Sequence, residues 1–101
     1  MTSRRALSAT EVVTRLSQLG NGWSLSGSGA DTAIEKTFKF ANYHDTIGFV
    51  NAVAFIANRM DHHPDLSVYY SRCVVRFNTH DVQGISSLDF DAATRVDALL
   101  G

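Results

Sequence analysis

Apolar and polar residues change their spacing several times along this chain, and each change predicts an element. Val12, Val13, Leu16 and Leu19 recur three or four residues apart, the spacing that lines one face of a helix. Ser8-Ala9-Thr10-Glu11 stands just before them with the spacing of a capping box, in which the serine hydroxyl takes a free amide and the glutamate reaches back to the cap. Gly20, with Asn21-Gly22 behind it, supplies the left-handed stop. Trp23-Ser24-Leu25 reads as a short strand, and the turn-rich Gly27-Ser28-Gly29-Ala30-Asp31 leads into a second. There Ile34, Phe38 and Phe40 share one face and Glu35, Thr37 and Lys39 the other, the period of a half-buried strand, so a hairpin is expected.

From Tyr43 to Met60 the apolar residues Ile47, Phe49, Val50, Val53, Ala54, Phe55, Ile56 and Met60 cover more than half of a helical wheel, too wide for a helix packed on one side only. A central helix is predicted. Leu66–Tyr70 and Arg72–Thr79 are rich in β-branched and aromatic residues and read as two more strands, joined by a tight connection near Ser71. Ser86 or Ser87 caps a last helix, with Asp89 and Asp91 in its positive first turn and Ala92, Ala93, Val96, Leu99 and Leu100 offered for burial. The order is α-β-β-α-β-β-α. Strands joined by short turns pair antiparallel, so the expected class is α+β: a four-stranded antiparallel sheet with three helices on one face.

Composition narrows what such a fold can do. With 101 residues, 45% hydrophobic and 19% charged, the chain reads as a single domain over 1–101. A domain of this size leaves much apolar surface uncovered, so self-association is expected. Nine Lys and Arg against ten Asp and Glu give a formal charge of −1, with no basic stripe to neutralise a run of phosphates; nucleic acid is not an expected partner. Arg4 and Arg5 are not followed by the apolar run of a secretory signal, and no stretch approaches the roughly 18 apolar residues of a membrane span. A cytoplasmic protein with no membrane partner is the expectation. Cys73 is the one cysteine, and in the run Cys73-Val74-Val75 it reads as a small buried hydrophobe.

The candidate chemistry lies in Asp61-His62-His63-Pro64, directly after the central helix. On the residues alone, two imidazoles at a helix C-terminus can simply complement its negative end, with proline forcing the stop. His80, at the end of the fourth strand, and Asp89, opening the last helix, could face the same loop, and histidine near neutral pH serves as either acid or base. A zinc site is the weaker alternative: helical metal ligands lie three or four residues apart, whereas adjacent side chains diverge. No metal is therefore expected. His44, beside Asp45, reads as a solvated helix-start residue.

The ordered set His62-His63-Pro64, Tyr70 six residues past the proline, His80 ten further on and Asp89 nine beyond that resembles the pterin-4a-carbinolamine dehydratases, over nearly the whole chain. The resemblance implies compact α+β subunits assembled into homodimers or homotetramers, with neither metal nor organic cofactor. It implies dehydration of 4a-hydroxytetrahydropterin, released by aromatic amino acid hydroxylases, to the quinonoid dihydropterin. That step belongs to tetrahydrobiopterin recycling and gives a functional link to a hydroxylase. By position, His62 and His80 would be the acid and base and His63 would bind the pterin. Asp61 and Asp89 would orient imidazoles or receive ring donors, and Asn58, Pro64 and Tyr70 would complete the substrate site. Asn58 stands where the family usually has an acidic residue, and Leu66 where it commonly has a large aromatic. Relatives with an altered pocket act as binding proteins, including assembly factors for the carbon-fixing carboxylase, so a non-catalytic adaptor is the alternative.

Overall fold

The computed structural model describes residues 5–100; Met1–Arg4, within the stretch where no secretory signal is expected, and Gly101 lie outside them. The element order is α1 (Ala9–Gln18), β1 (Ser24–Ser26), β2 (Ala33–Lys39), α2 (Tyr43–Met60), β3 (Asp65–Val68), β4 (Arg72–Phe77) and α3 (Ser87–Asp97), with 3-10 turns at Gly29–Asp31 and His80–Val82. All pairing is antiparallel, in the order β1-β2-β4-β3. The two hairpins thus meet through β2 and β4, and the α+β class and helix–strand order agree with the pattern of the chain.

Pairing register decides what faces the helices. Ile34 lies opposite Phe77, Lys36 opposite Val75 and Phe38 opposite Cys73, and directly paired residues share a face. That face forms one apolar cluster with Val12 of α1, Phe49 and Val53 of α2, and Phe90, Ala92, Ala93 and Val96 of α3. All three helices therefore cover the same side. On the other side Glu35, Arg76 and Asp65 lie in one row across three strands. Cys73 is fully buried, and its burial pushes the thiol pKa up.

Lys36 departs from the alternation, because the pleat places it on the core side. Its ammonium meets Asp97 at 2.8 Å and lies 4.8 Å from the centroid of Phe38. Trp23 Nε1 donates to the other Asp97 oxygen at 2.9 Å. Asp97 thereby lets a charged side chain stand among aromatic rings.

Three expectations are corrected. Val13 is 62% exposed and Phe55 63%, so α1 and α2 bury narrower stripes than their apolar content suggests; α2 packs through Phe49, Val53 and Ala57. Leu99 and Leu100 are exposed, since α3 ends at Asp97. β4 stops at Phe77, and Thr79 makes an isolated bridge to Gly84 instead of extending the strand.

The ends of the helices carry two testable features. Ser8 caps α1 in a complete capping box with Glu11, whose carboxylate also takes both Arg5 guanidinium nitrogens, at 2.9 and 2.7 Å. The Arg5 bond first, then the Ser8 amide, lowers the Glu11 pKa to about 2. A lowered carboxylate pKa contributes stability that is complete above the ordinary value and lost as pH falls through the folded one. The Ser8 amide resonance should hold its position through pH 4.5 and move only towards about pH 2; a midpoint at the ordinary value would contradict the Arg5–Glu11 pairing.

At the other helix end, Asp61 adopts φ 50°, ψ 43°, the left-handed region that glycine enters freely. His62 N donates to Ala57 O and Asp61 N to Asn58 O, the two bonds of a Schellman ending. Left-handed backbone costs an ordinary L-residue about 1–2 kcal/mol, while glycine adds freedom to the unfolded chain worth about 0.4–1 kcal/mol. Chemical denaturation should therefore find Asp61→Gly close to neutral and Asp61→Val destabilised by about 1–2 kcal/mol. Equal stability of the two variants would rule out this role for the position.

Candidate active site

Four chain segments converge beyond the end of α2: the left-handed turn, the start of β3, the turn after β4 and the first turn of α3. Asp61 ends the helix by reversing the backbone, so His62 and His63 leave it in different directions. His62 turns inward and is 6% exposed, with its ring stacked on Phe77 at 6.0 Å and 9°. His63 stays exposed. Pro64, half-buried, leads straight into β3.

The centre of the arrangement is Asp89, the third residue of α3 and completely buried. Its Oδ1 lies 2.6 Å from His62 Nε2. Its Oδ2 accepts from Thr79 Oγ1 at 2.8 Å and from the Ser86 amide at 3.0 Å. Ser86 is the cap of α3, and Asp89 closes its capping box. One carboxylate thus finishes a helix and orients an imidazole. An ionised carboxylate only accepts, so His62 Nε2 carries the proton in this bond.

His63 Nε2 lies 3.0 Å from Asn58 Oδ1. Asn58 is one turn back on α2 and therefore orients His63 rather than His62. His80 is exposed and follows Thr79 directly on the 3-10 turn, at the end of the sheet where Thr79 meets Asp89. Asp61 is exposed at the rim. Histidines 62, 63 and 80, with Asp61, Asn58, Pro64 and Asp89, accordingly belong to one end of the molecule. Among the described residues no three His, Cys, Asp or Glu side chains are gathered as a metal ion would need.

Tyr70 does not join them. β3 runs back along α2, so the β3–β4 turn lies beside the start of that helix, where Thr46 Oγ1 donates to the Tyr70 carbonyl at 3.0 Å and the Tyr70 ring stacks on Tyr43. Eighteen helical residues at about 1.5 Å each separate that position from the histidines. The family resemblance implies a place for Tyr70 in the substrate site; within one subunit the hairpin carries it away. Leu66 is half-buried on the core side, opposite Val75, so it packs against the helices. Conversely, Thr79 touches Asp89 and was not singled out, because a lone hydroxyl carries no spacing signal; Ser86, read as a candidate helix cap, also gives Asp89 its amide.

His62 is buried while His63 and His80 are exposed, so the set reaches from the interior to the surface. A cavity of about 440 Å³ beside the first half of α2 is lined by Phe40, His44, Phe49 and Leu99, and a mostly apolar one of about 300 Å³ is lined by Leu7, Val12, Val13, Leu25 and Ile85. The first also has Asp45 beside His44 in its lining, but the imidazole held directly by a carboxylate is His62, so the histidine end has the stronger claim to chemistry. An imidazole held by a buried carboxylate, with two further imidazoles at the same end of the molecule, can move protons to and from a flat ligand.

The model of the family "Pterin 4 alpha carbinolamine dehydratase" matches residues 5–99. A Paracidovorax citrulli protein named "Putative pterin-4-alpha-carbinolamine dehydratase" is 70% identical over 98 residues, 97% of this chain and 84% of its own length. One of the same name from Stenotrophomonas maltophilia is 55% identical over 78 residues, 77% of this chain and 66% of its own length. A transcriptional coactivator/pterin dehydratase from Brucella melitensis, solved as a crystal structure, superposes with a TM-score of 0.87 at 31% identity, covering 96% of this chain and all of that one. The fold is also that of a pterin dehydratase-like protein described as a RuBisCO assembly factor in the alpha-carboxysome, with a TM-score of 0.67 at 23% identity over 80% of this chain and 92% of that one. On the family match and the first relative's identity, the chain belongs to the pterin 4 alpha carbinolamine dehydratase family.

Proposed function

We propose that this protein dehydrates 4a-hydroxytetrahydropterins. The observation that carries the reading is the His62–Asp89 pair, 2.6 Å apart and buried, with His63 and His80 at the same end of the molecule. In the reaction the C4a–O bond breaks, the hydroxyl takes a proton and leaves as water, and the N5–H proton departs to leave a C4a–N5 double bond. One group must give a proton and another accept one. His62 and His80 fill these roles, His63 binds the ring, and Asp61 receives its amide and amino donors. The N5 lone pair already assists departure of the hydroxyl, so positioned proton transfer, worth about a hundredfold to ten-thousandfold, is a sufficient contribution.

A second reading, a non-catalytic binding protein, draws on Asn58: its uncharged amide is engaged with His63, where a carboxylate would favour the charged imidazole. Stopped-flow absorbance of a 4a-hydroxytetrahydropterin generated in situ separates the readings. Decay well above the buffer rate is expected, with His62→Ala combined with His80→Ala losing far more activity than His44→Ala, and His63→Ala raising KM more than it lowers kcat. Native protein that matches buffer and binds no dihydropterin in calorimetry would favour the binding protein.

The same reading includes self-association, supported by exposed Phe55, Val68, Leu99 and Leu100 on a domain too small to cover its apolar surface. Light scattering at micromolar concentration should report a homodimer or homotetramer. A monomer would count against this part alone.

A further inference from the structure

The hydrogen bonds around Asp89 have a direction that can be read from the donor inventory. Asp89 cannot donate, so the Thr79 hydroxyl proton points to Oδ2 at 2.8 Å. In the 2.8 Å contact between the Thr79 and Ser86 hydroxyls, Ser86 is then the donor. Ser86 Oγ in turn accepts from the Leu88 amide at 3.3 Å. The chain of donors runs from the first turn of α3 through Ser86 and Thr79 to one oxygen of Asp89, and His62 Nε2–H supplies the other. Thr79, Ser86 and Asp89 are each at most 1% exposed, so no solvent competes for these bonds.

From this we infer that Thr79 and Ser86 are positioning residues: they fix the Asp89 carboxylate so that His62 is held as the Nε2–H tautomer, and Nδ1 is the atom through which His62 exchanges protons. Two observations support it. His62 Nδ1 has no partner among the described residues, while Nε2 is committed to Asp89. The Ser86 donor is a backbone amide, whose direction no side-chain rotation can reverse. The catalytic consequence rests on the dehydratase reading; the tautomer does not.

Histidine-ring nitrogen NMR at about pH 9, well above the ordinary imidazole range, tests the inference. Native protein should carry the His62 proton on Nε2. In Asp89→Asn the fixed Ser86 amide, seconded by Thr79, demands the new side chain's oxygen at the Oδ2 position. Its NH2 then faces His62, and the ring proton should move to Nδ1. In Thr79→Val the carboxylate still only accepts, so the proton should stay on Nε2 while the loosened carboxylate broadens the His62 signals; Thr79→Ser, which restores the hydroxyl, should match native protein. Proton on Nδ1 in native protein, on Nε2 in Asp89→Asn, or His62 signals in Thr79→Val as sharp as in native protein would each overturn the inference. If Asp89→Asn does not fold, the native spectrum and the Thr79 pair decide. In turnover, Thr79→Val should lower kcat about tenfold or more at little-changed KM, with Thr79→Ser recovering it. Native protein with the Nε2–H signature but no turnover would remove the dehydratase reading and leave the positioning intact. Turnover with the opposite tautomer would do the reverse.

Discussion

A carboxylate without solvent must have a donor for each oxygen, and at Asp89 that requirement ties the molecule together. An uncompensated charge at such a depth would cost several kcal/mol, so its partners cannot be spared: a hydroxyl from the end of β4, an amide from the start of α3, an imidazole from the end of α2. These elements come from opposite ends of the second half of the chain. Their convergence makes the rim of the sheet stiff where an exposed loop end would otherwise be mobile. The bonds that complete the fold here are the same ones that aim His62, so structure and chemistry cannot be separated at this residue.

Much of this was legible in the chain because short-range rules set it. Ser8 and Glu11 announced their helix through spacing alone, β2 its strand through alternation, and β4 through its β-branched and aromatic residues. Asp89 was visible for its place at a helix start, and the histidines for their order. What escaped depended on geometry between elements. Tyr70 lies eight residues from His62 in sequence yet at the far end of α2, because a hairpin doubles the chain back. Val13 and Phe55 are as apolar as their buried neighbours, but the width of a packed stripe depends on what lies opposite. Thr79 has meaning only once Asp89 is beside it.

Lys36 illustrates a different limit. Its neighbours alternate as a strand should, and a lysine among them looks like one more solvent-facing residue. The pleat turns it to the core, where its stem runs past Gly22 and its ammonium lies over Phe38 and reaches Asp97. Asp97 also takes the Trp23 indole proton, so the last residue of α3 joins the first strand region to the second. Charge in the sequence marks where a side chain's tip must end, and says little about where its stem runs.

The connection between α2 and β3 has a further consequence. Four residues, Asp61 to Pro64, span it, and the strand that follows alternates at once: Leu66 and Val68 towards the helices, Asp65 and Ser67 away. A strand has a period of two, so lengthening or shortening this link by one residue would invert β3, sending its carboxylate inward and its leucine out. Only changes of two residues would preserve the pleat, and those would have to be absorbed beside His62, whose ring is stacked on Phe77. The link is thereby quantised. Its length, in steps of two, is set by the pleat of the strand it feeds.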